Sequence, residues 1–338
     1  MMKKEDLRIV FMGTPEFAVE TLRALTDNGY NVVAVVTQPD KPVGRHASVL
    51  QPSAVKQYAV EHGLPVLQPA KMKDPEFVEQ LRMYDANLQV VVAFRMLPEV
   101  VWAMPEYGTF NVHAALLPQY RGAAPINWAV INGETKTGVT TFFLDHDIDT
   151  GRIIMQKSFA IPDDADVEYV YDGLMHLGAQ ICLETLEAII AADGHPDTMA
   201  QDDVHVGLVS HEPQEARESE LQSLKPAPKI FKETCEIDWT KTAKQVYDFV
   251  RGLSPYPGAW TTLVDVDGKE TVLKVYKTRK TGLPGMGSGV VSVMDRTLCI
   301  SASDELLEIV ELQLAGKKRM AARDFLNGMK NLELYRIK

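Results

Sequence analysis

The sequence predicts an α/β protein: a mostly parallel sheet with helices on both faces, followed by a small β-barrel domain. Three observations predict it. Apolar runs of strand length alternate with helical patterns through the first half of the chain, the rhythm of strands joined by crossover helices. Those runs are apolar throughout, as in strands covered on both faces. From Ile230 onward the pattern changes to short strands between Gly and Pro turns, which suits a barrel of about five or six strands. At 338 residues the chain has room for two domains.

The elements follow in order. LRIVFM (7–12) reads as a first strand ending at Gly13-Thr14-Pro15, and FAVETLRALTDNG as a helix with Phe17, Leu22 and Leu25 on one face. NVVAVVT (31–37) is a second strand, and the Pro/Gly-rich stretch 38–53 breaks the rhythm. A helix over 53–62, a strand over 64–68, a helix over 74–83 and a strand over 88–94 come next. TFNVH (109–113) and VTTFFL (139–144) read as strands around a helix, APINWAVING (124–133). A strand over 152–161 and a long helix from Val167 to Ala192 close the first unit. The expected domains are 1–206, a polar linker over 207–229, and 230–338. In the last, a helix over 242–253 precedes strands that include a hairpin turn at Val-Asp-Gly-Lys.

Composition narrows the function. With 46% hydrophobic and 24% charged residues, the chain is ordinary for a globular protein. No uninterrupted apolar run is long enough to span a bilayer. The N-terminal MMKKEDLRIVFMG is too short in its apolar part for a signal peptide and lacks a small-residue cleavage site. A cytoplasmic protein, away from membranes, is expected. Cys182, Cys235 and Cys299 are isolated from one another and from histidine clusters, which argues against a zinc site. No metal is expected. The net charge of −11 is unevenly spread: residues 1–204 hold 15 Lys and Arg against 28 Asp and Glu, residues 205–338 hold 20 against 18. An acidic front and a mildly basic back suit modules with different partners.

Gly13-Thr14-Pro15 lies between a strand and a helix, where backbone N–H groups can meet a phosphate. A single glycine is no dinucleotide fingerprint, so a capped helix start is the better reading and an oxidoreductase has little support. FNVHAALLPQYRGAAP (110–125) is more informative. Asn111 and His113, two apart in a strand, face the same side of the sheet, and both can donate to one oxygen. A polar strand end with no further role is the plain alternative. Asp147-Ile148-Asp149-Thr150-Gly151 adds carboxylates after the next strand. A carboxylate beside an imidazole orients it and favours its protonated form. An amide, an imidazole and a carboxylate around one pocket suit oxyanion stabilisation and proton movement. No Ser or Cys is placed as a nucleophile, which leaves the attack to the substrate.

The segment FNVHAALLPQYRGAAPINWAVINGETKTGVTTFFLDHDIDTGRII resembles the folate-dependent formyltransferases. RIVFMGTPEFAVETL, VVTQPDKPVGR, VVVAFRMLP, FKETCEIDW and AGKKRMAARDFLNG extend the resemblance over nearly the whole chain, toward the branch that acts on an aminoacylated tRNA. The resemblance implies a Rossmann-like domain followed by an OB-like barrel that adds tRNA contacts. It implies a catalytic trio of Asn111, His113 and Asp149, and 10-formyltetrahydrofolate as formyl donor. The donor pocket would be lined by Arg95, Met96 and Leu97, by Ala115, Leu116, Leu117 and Pro118, and by the loop with Asp145 and Asp147. The implied acceptor is initiator methionyl-tRNA, gripped by the segment Asp40 to Gln51 through Lys41 and Arg45. The sequence departs from that pattern at Ala115, where a serine is usual, and in HASVL (46–50), which carries no lysine. The linker is also longer, with an acidic run over 212–220. A monomer is the expected state. Two rival functions stay open: formyl transfer to a sugar nucleotide, and nucleic-acid binding without catalysis.

Overall fold

The structure is a computed structural model that describes residues 2–43, 49–204, 224–329 and 331–338. Arg45, the acidic run 212–220 and most of the expected linker lie outside the described residues. The chain divides into two compact units. The first comprises Met1–Gly122, Thr137–Phe159 and Tyr171–Pro226; the second comprises Ala123–Lys136, Ala160–Val170 and Ala227–Lys338.

In the first unit β1 (Arg8–Gly13) is central, and Ile9 to Met12 have no solvent exposure. It pairs in parallel with β2 (Asn31–Val36) on one side and β6 (Leu88–Val92) on the other. Parallel pairing extends outward to β5 (Val66–Leu67) and to β7 (Thr109–His113). β8 (Lys136–Phe143) then runs antiparallel to β7, and β9 (Ile153–Ala160) forms the far edge, in the order β5-β2-β1-β6-β7-β8-β9. The strand order reverses between β1 and β6, where open α/β sheets leave a crevice at the carboxyl ends of the strands.

The helices form where the sequence caps them. α1 (Glu16–Asp27) buries Phe17, Ala18, Leu22 and Leu25. Its second N–H, from Phe17, donates to the Tyr171 hydroxyl at 3.0 Å. A partner within the chain thus takes one of the amides an anion would have used. A Cβ on Gly13 would lie 2.6 Å from Ala18 Cβ, so glycine there lets α1 settle against β1. α2 (Ala54–Glu61) starts at Ser53, whose hydroxyl accepts the Lys56 N–H. α3 (Pro75–Arg82) starts at Asp74 with Pro75 as first helical residue. A short α4 (Glu99–Trp102) follows β6. α6 (Val167–Ala191) buries Leu174, Ile181, Leu186 and Ile189 completely, and the Thr185 hydroxyl meets that of Thr141 on β8 at 2.8 Å.

Most boundaries agree with the sequence reading to within two residues. The largest departure is the stretch read as a break after β2. There β3 (Lys41–Val43) and β4 (Val49–Gln51) form an antiparallel ladder, Lys41 opposite Gln51 and Val43 opposite Val49.

The second unit holds α5 (Pro125–Ile131), which the sequence reading placed with the front half. Asn127 Nδ2 donates to the Gly252 carbonyl at 2.9 Å and Trp128 Nε1 to the Pro228 carbonyl at 2.8 Å. α7 (Ala243–Gly252) begins with a capping box between Thr242 and Gln245. On α7, Asp248 accepts from Arg251 Nε at 2.8 Å, with both side chains buried.

Antiparallel strands β10 (Ala259–Val264), β11 (Glu270–Pro284), β12 (Val291–Met294), β13 (Thr297–Ser301), β14 (Glu305–Leu314) and β16 (Arg336–Ile337) line up as β12-β13-β14-β11-β10-β16. β15 (Met320–Ala321) pairs with β14, and α8 (Ala322–Gly328) follows it. A bridge between Val290 and Arg336 ties the two ends of this path together, closing it into a barrel. Trp239, Val246, Val250, Leu263, Leu273, Ile300, Leu307, Leu312 and Phe325 fill the core.

Candidate active site

All three residues of the implied trio lie in the first unit. Asn111 and His113 sit on β7, opposite Phe142 and Thr140 of β8. His113 is 6% exposed, and its Nε2 meets the Tyr120 carbonyl at 3.0 Å. A carbonyl only accepts, so Nε2 carries a proton. Nδ1 then faces Asp149 Oδ2 at 3.9 Å, with the Asp149 side chain 13% exposed. Asp149 Oδ2 also accepts the Gly122 N–H at 2.9 Å. Asp149 has φ of +55°, a left-handed backbone that Asp adopts more readily than most residues.

The loop carrying Asp149 is set by close approach. A Cβ on Gly151 would fall 1.7 Å from the Phe143 carbonyl oxygen, so only glycine fits where the chain turns back from β8 to β9. The segment after His113 is set by a buried network. Thr140 Oγ1 donates to the Ala115 carbonyl at 2.7 Å and accepts from Leu117 N–H at 3.1 Å. Gln156 Nε2 donates to both the Leu117 carbonyl (2.8 Å) and Thr140 Oγ1 (2.9 Å). The Leu117–Pro118 peptide is cis.

The residues expected to bind the formyl donor divide into two kinds. Ala115, Leu117, Pro118 and Leu97 are buried, and the Ala115 carbonyl and the Leu117 N–H and carbonyl are taken up by Thr140 and Gln156. Met96 is exposed, as are Asp145 and Asp147; Leu116 is half-buried. α4 and the loop after β8 come together: the His146 ring stacks edge-on against Trp102, centroids 5.4 Å apart, and faces Glu99 at 3.9 Å. The Arg95 guanidinium donates to the Ala70 carbonyl at 3.0 Å and to the Pro69 carbonyl. Burial lowers its pKa, and its Nε is buried without a hydrogen-bond partner. Arg95 thus holds the 69–70 turn against the loop after β6. Ala115 has no solvent exposure, so the serine hydroxyl usual at that position would lie in the interior here.

Among the described residues no group of three His, Cys, Asp or Glu side chains could hold a metal ion.

Lys41 is exposed on β3. The base of its hairpin is fixed by Asp40, which pairs with Lys56 Nζ at 2.6 Å and accepts from Gln68 Nε2 at 2.7 Å. Those bonds hold the Asp40 carboxyl below its usual pKa. Sequence reasoning missed Gln201 altogether. It is buried beneath the Asp149 loop, in a polar stretch whose only signal was its lack of apolar period.

An open α/β sheet with an amide and an imidazole on β7, a carboxylate beside them, and no nucleophilic Ser or Cys among them suits a group transferase whose substrate supplies the nucleophile. The family model described as formyl transferase matches residues 7–186, and the formyl transferase C-terminal domain matches residues 229–330. The chain belongs to the formyl transferase family. Relatives named methionyl-tRNA formyltransferase include one from Parabacteroides distasonis, 57% identical over 99% of this chain and 100% of the relative. Another, from Bacteroides fragilis, is 52% identical over 100% of this chain and 99% of its own. Two solved structures share the fold at low identity. HypX from Aquifex aeolicus in complex with tetrahydrofolic acid matches with TM-score 0.58 and 20% identity, covering 95% of this chain and 47% of that one. WlaRD, a sugar 3N-formyl transferase in the presence of dTDP and 5-N-formyl-THF, gives TM-score 0.61 and 17% identity, covering 92% of this chain and 99% of that one.

Proposed function

We propose that this chain transfers the formyl group of 10-formyltetrahydrofolate to the α-amino group of methionine on initiator methionyl-tRNA, and so serves translation initiation in the cytoplasm. The observation that carries the chemistry is Asp149, held by its loop 3.9 Å from His113 Nδ1, with Asn111 on the same face of β7. The acceptor rests on full-length identity to relatives that bear that substrate in their name.

The amine nitrogen attacks the formyl carbon, a new C–N bond forms, and the bond to N10 breaks. Asn111 donates its amide N–H to the formyl oxygen as that oxygen gains charge. His113 donates through Nδ1–H, since Nε2–H is given to Tyr120; donation from both nitrogens uses the imidazolium. Asp149 accepts the proton the amine loses and returns it to N10. In this reading residues 1–206 carry the chemistry, 207–229 link, and 230–338 add tRNA contacts. Lys41 and Arg45 meet the acceptor end, and the protein acts as a monomer. In the barrel unit Arg279, Lys280 and Arg319 are each paired with a carboxylate, of Glu308, Asp163 and Glu311. Exposed Lys277, Lys317 and Lys318 are the better phosphate contacts.

Formyl transfer to methionyl-initiator tRNA is the test. Loss of one oxyanion donor costs about 10²–10³ in rate, so Asn111→Ala and His113→Ala should fall by at least that much while folded. Normal turnover in either would sink the trio. A sugar-nucleotide acceptor, offered in parallel, should give no product. Binding of the tRNA should weaken as salt rises, because phosphate contacts release counterions.

A further inference from the structure

We propose that Gln201 is a positioning residue for Asp149, setting the carboxylate at its working approach to His113. The inference rests on the transfer chemistry proposed above. Gln201 is 4% exposed, and its surroundings fix which way its amide points. Oε1 accepts from Arg121 Nε at 3.0 Å and Nη2 at 2.7 Å, groups that only donate. Nε2 donates to the carbonyls of Asp149 at 2.8 Å and Gly151 at 2.9 Å, groups that only accept. Both protons and both lone pairs of the amide are used.

These bonds close a ring. From the Asp149 carbonyl it runs through Gln201 to the Arg121 side chain, along the backbone to Gly122, and from the Gly122 N–H to Asp149 Oδ2. Gly122 aims the carboxylate, and Gln201 fixes the backbone from which it projects. The left-handed φ of +55° at Asp149 is a conformation that surrounding bonds must hold. The same ring joins the Asp149 loop to the chain that leaves His113, so the two halves of the trio are registered against each other through Gln201. The segment carrying Gln201 is tethered separately. Met199 and Ile153 exchange backbone hydrogen bonds, both of 2.8 Å. A substitution at Gln201 therefore removes the clamp and leaves its platform.

The test uses Gln201→Glu, which keeps the contact to Arg121 but has no N–H for the two carbonyls, and Gln201→Met, which keeps volume and loses all four bonds. A misplacement of about 1 Å can cost roughly 10²-fold. The expected result is a fall in kcat of about 10- to 100-fold with KM for the formyl donor little changed. In an Asp149→Asn background the same substitutions should add little, because residues acting through one group are not additive. The ring-nitrogen NMR resonances of His113, read with no acceptor present, should shift in both variants the way they shift in Asp149→Asn. Unchanged kcat, losses that multiply in the double variants, or unmoved His113 resonances would overturn the proposal. So would failure of both variants to fold, which assigns Gln201 to stability. If wild-type protein transfers nothing to the tRNA, the acceptor reading fails, and the His113 resonances still decide the role of Gln201.

Discussion

Around His113 the polar atoms bond to one another; among the described residues of the β3–β4 hairpin the side-chain anchoring lies at the base. The imidazole is fixed by Tyr120, Asp149 by Gly122 and Gln201, and the chain between them by Thr140 and Gln156. In the hairpin, Asp40 secures the entry through Lys56 and Gln68, while Val49 and Leu50 expose 58% and 65% of their surface beside exposed Lys41. Under the proposed function the contrast separates two physical jobs. Catalytic donors gain from geometry settled before the substrate arrives. A recognition element keeps apolar and cationic groups facing outward, where a partner can cover them.

Gly151→Ala attacks the settled side most directly. The new methyl would meet the Phe143 carbonyl oxygen at 1.7 Å, so the Asp149 loop must move. Turnover is expected to fall about 10²-fold, as for an ångström-scale misplacement, and single-turnover kinetics reads it.

Thr140→Val reaches the same region from below. It leaves the buried Leu117 N–H without its acceptor, at a cost of about 1–3 kcal/mol, seen as a lower urea midpoint. An unchanged midpoint would show that the network is not what holds the loop.

Lys41→Ala probes the other side. Saturated turnover should stay, tRNA affinity should weaken, and the salt slope should drop by about one. A turnover defect would dissolve the contrast.

The smallest effect concerns pH. The Asp40 carboxyl is held below its usual value by hydrogen bonds from Lys56 and Gln68. A depressed carboxylate stabilises fully above the unfolded value of about 3.9. That contribution is lost as pH falls through the lower, folded value. The protection of the β3 and β4 amides against hydrogen exchange should thus hold steady from neutral pH to about 4 and fall below it, a change that Asp40→Asn should abolish.

Local pattern carried much of the design. TFNVH was bounded correctly because a buried strand with two polar residues on one face has few other readings. Asp149 was legible through the family resemblance, and its approach to His113 is what the structure adds. Gln201 was not legible: a polar residue in a polar stretch carries no period, and its partners lie 50 and 80 positions away in sequence. Arg95 was expected to line the donor pocket through the family resemblance, and the hold of its guanidinium on the turn at Pro69 and Ala70 is what no local pattern showed. The hairpin was read as a break because Pro39, Pro42, Gly44 and Pro52 punctuate a polar stretch, while its register depends on pairing across the gap between Val43 and Val49. α5 shows the same limit on a larger scale. Its apolar pattern predicted a helix but could not say which core receives it, and Trp128 and Asn127 hold it in the second unit.

The barrel is closed by very little. β16 spans Arg336–Ile337, pairs with β10, and reaches Val290 through one bridge; Lys338 adds a backbone bond to the Thr262 carbonyl at 3.0 Å. Clipping the chain before Arg336 would remove few contacts and little buried area. It would nonetheless open the closed path, leaving the outer sides of Thr262–Val264 on β10, beyond the bridge that Glu236 makes to Trp260, and of β12 as rows of unpaired amides and carbonyls. Such rows recruit strands from other molecules. The cost of losing those residues would therefore register in colloidal behaviour, as self-association on concentration, before it registered in the folding equilibrium.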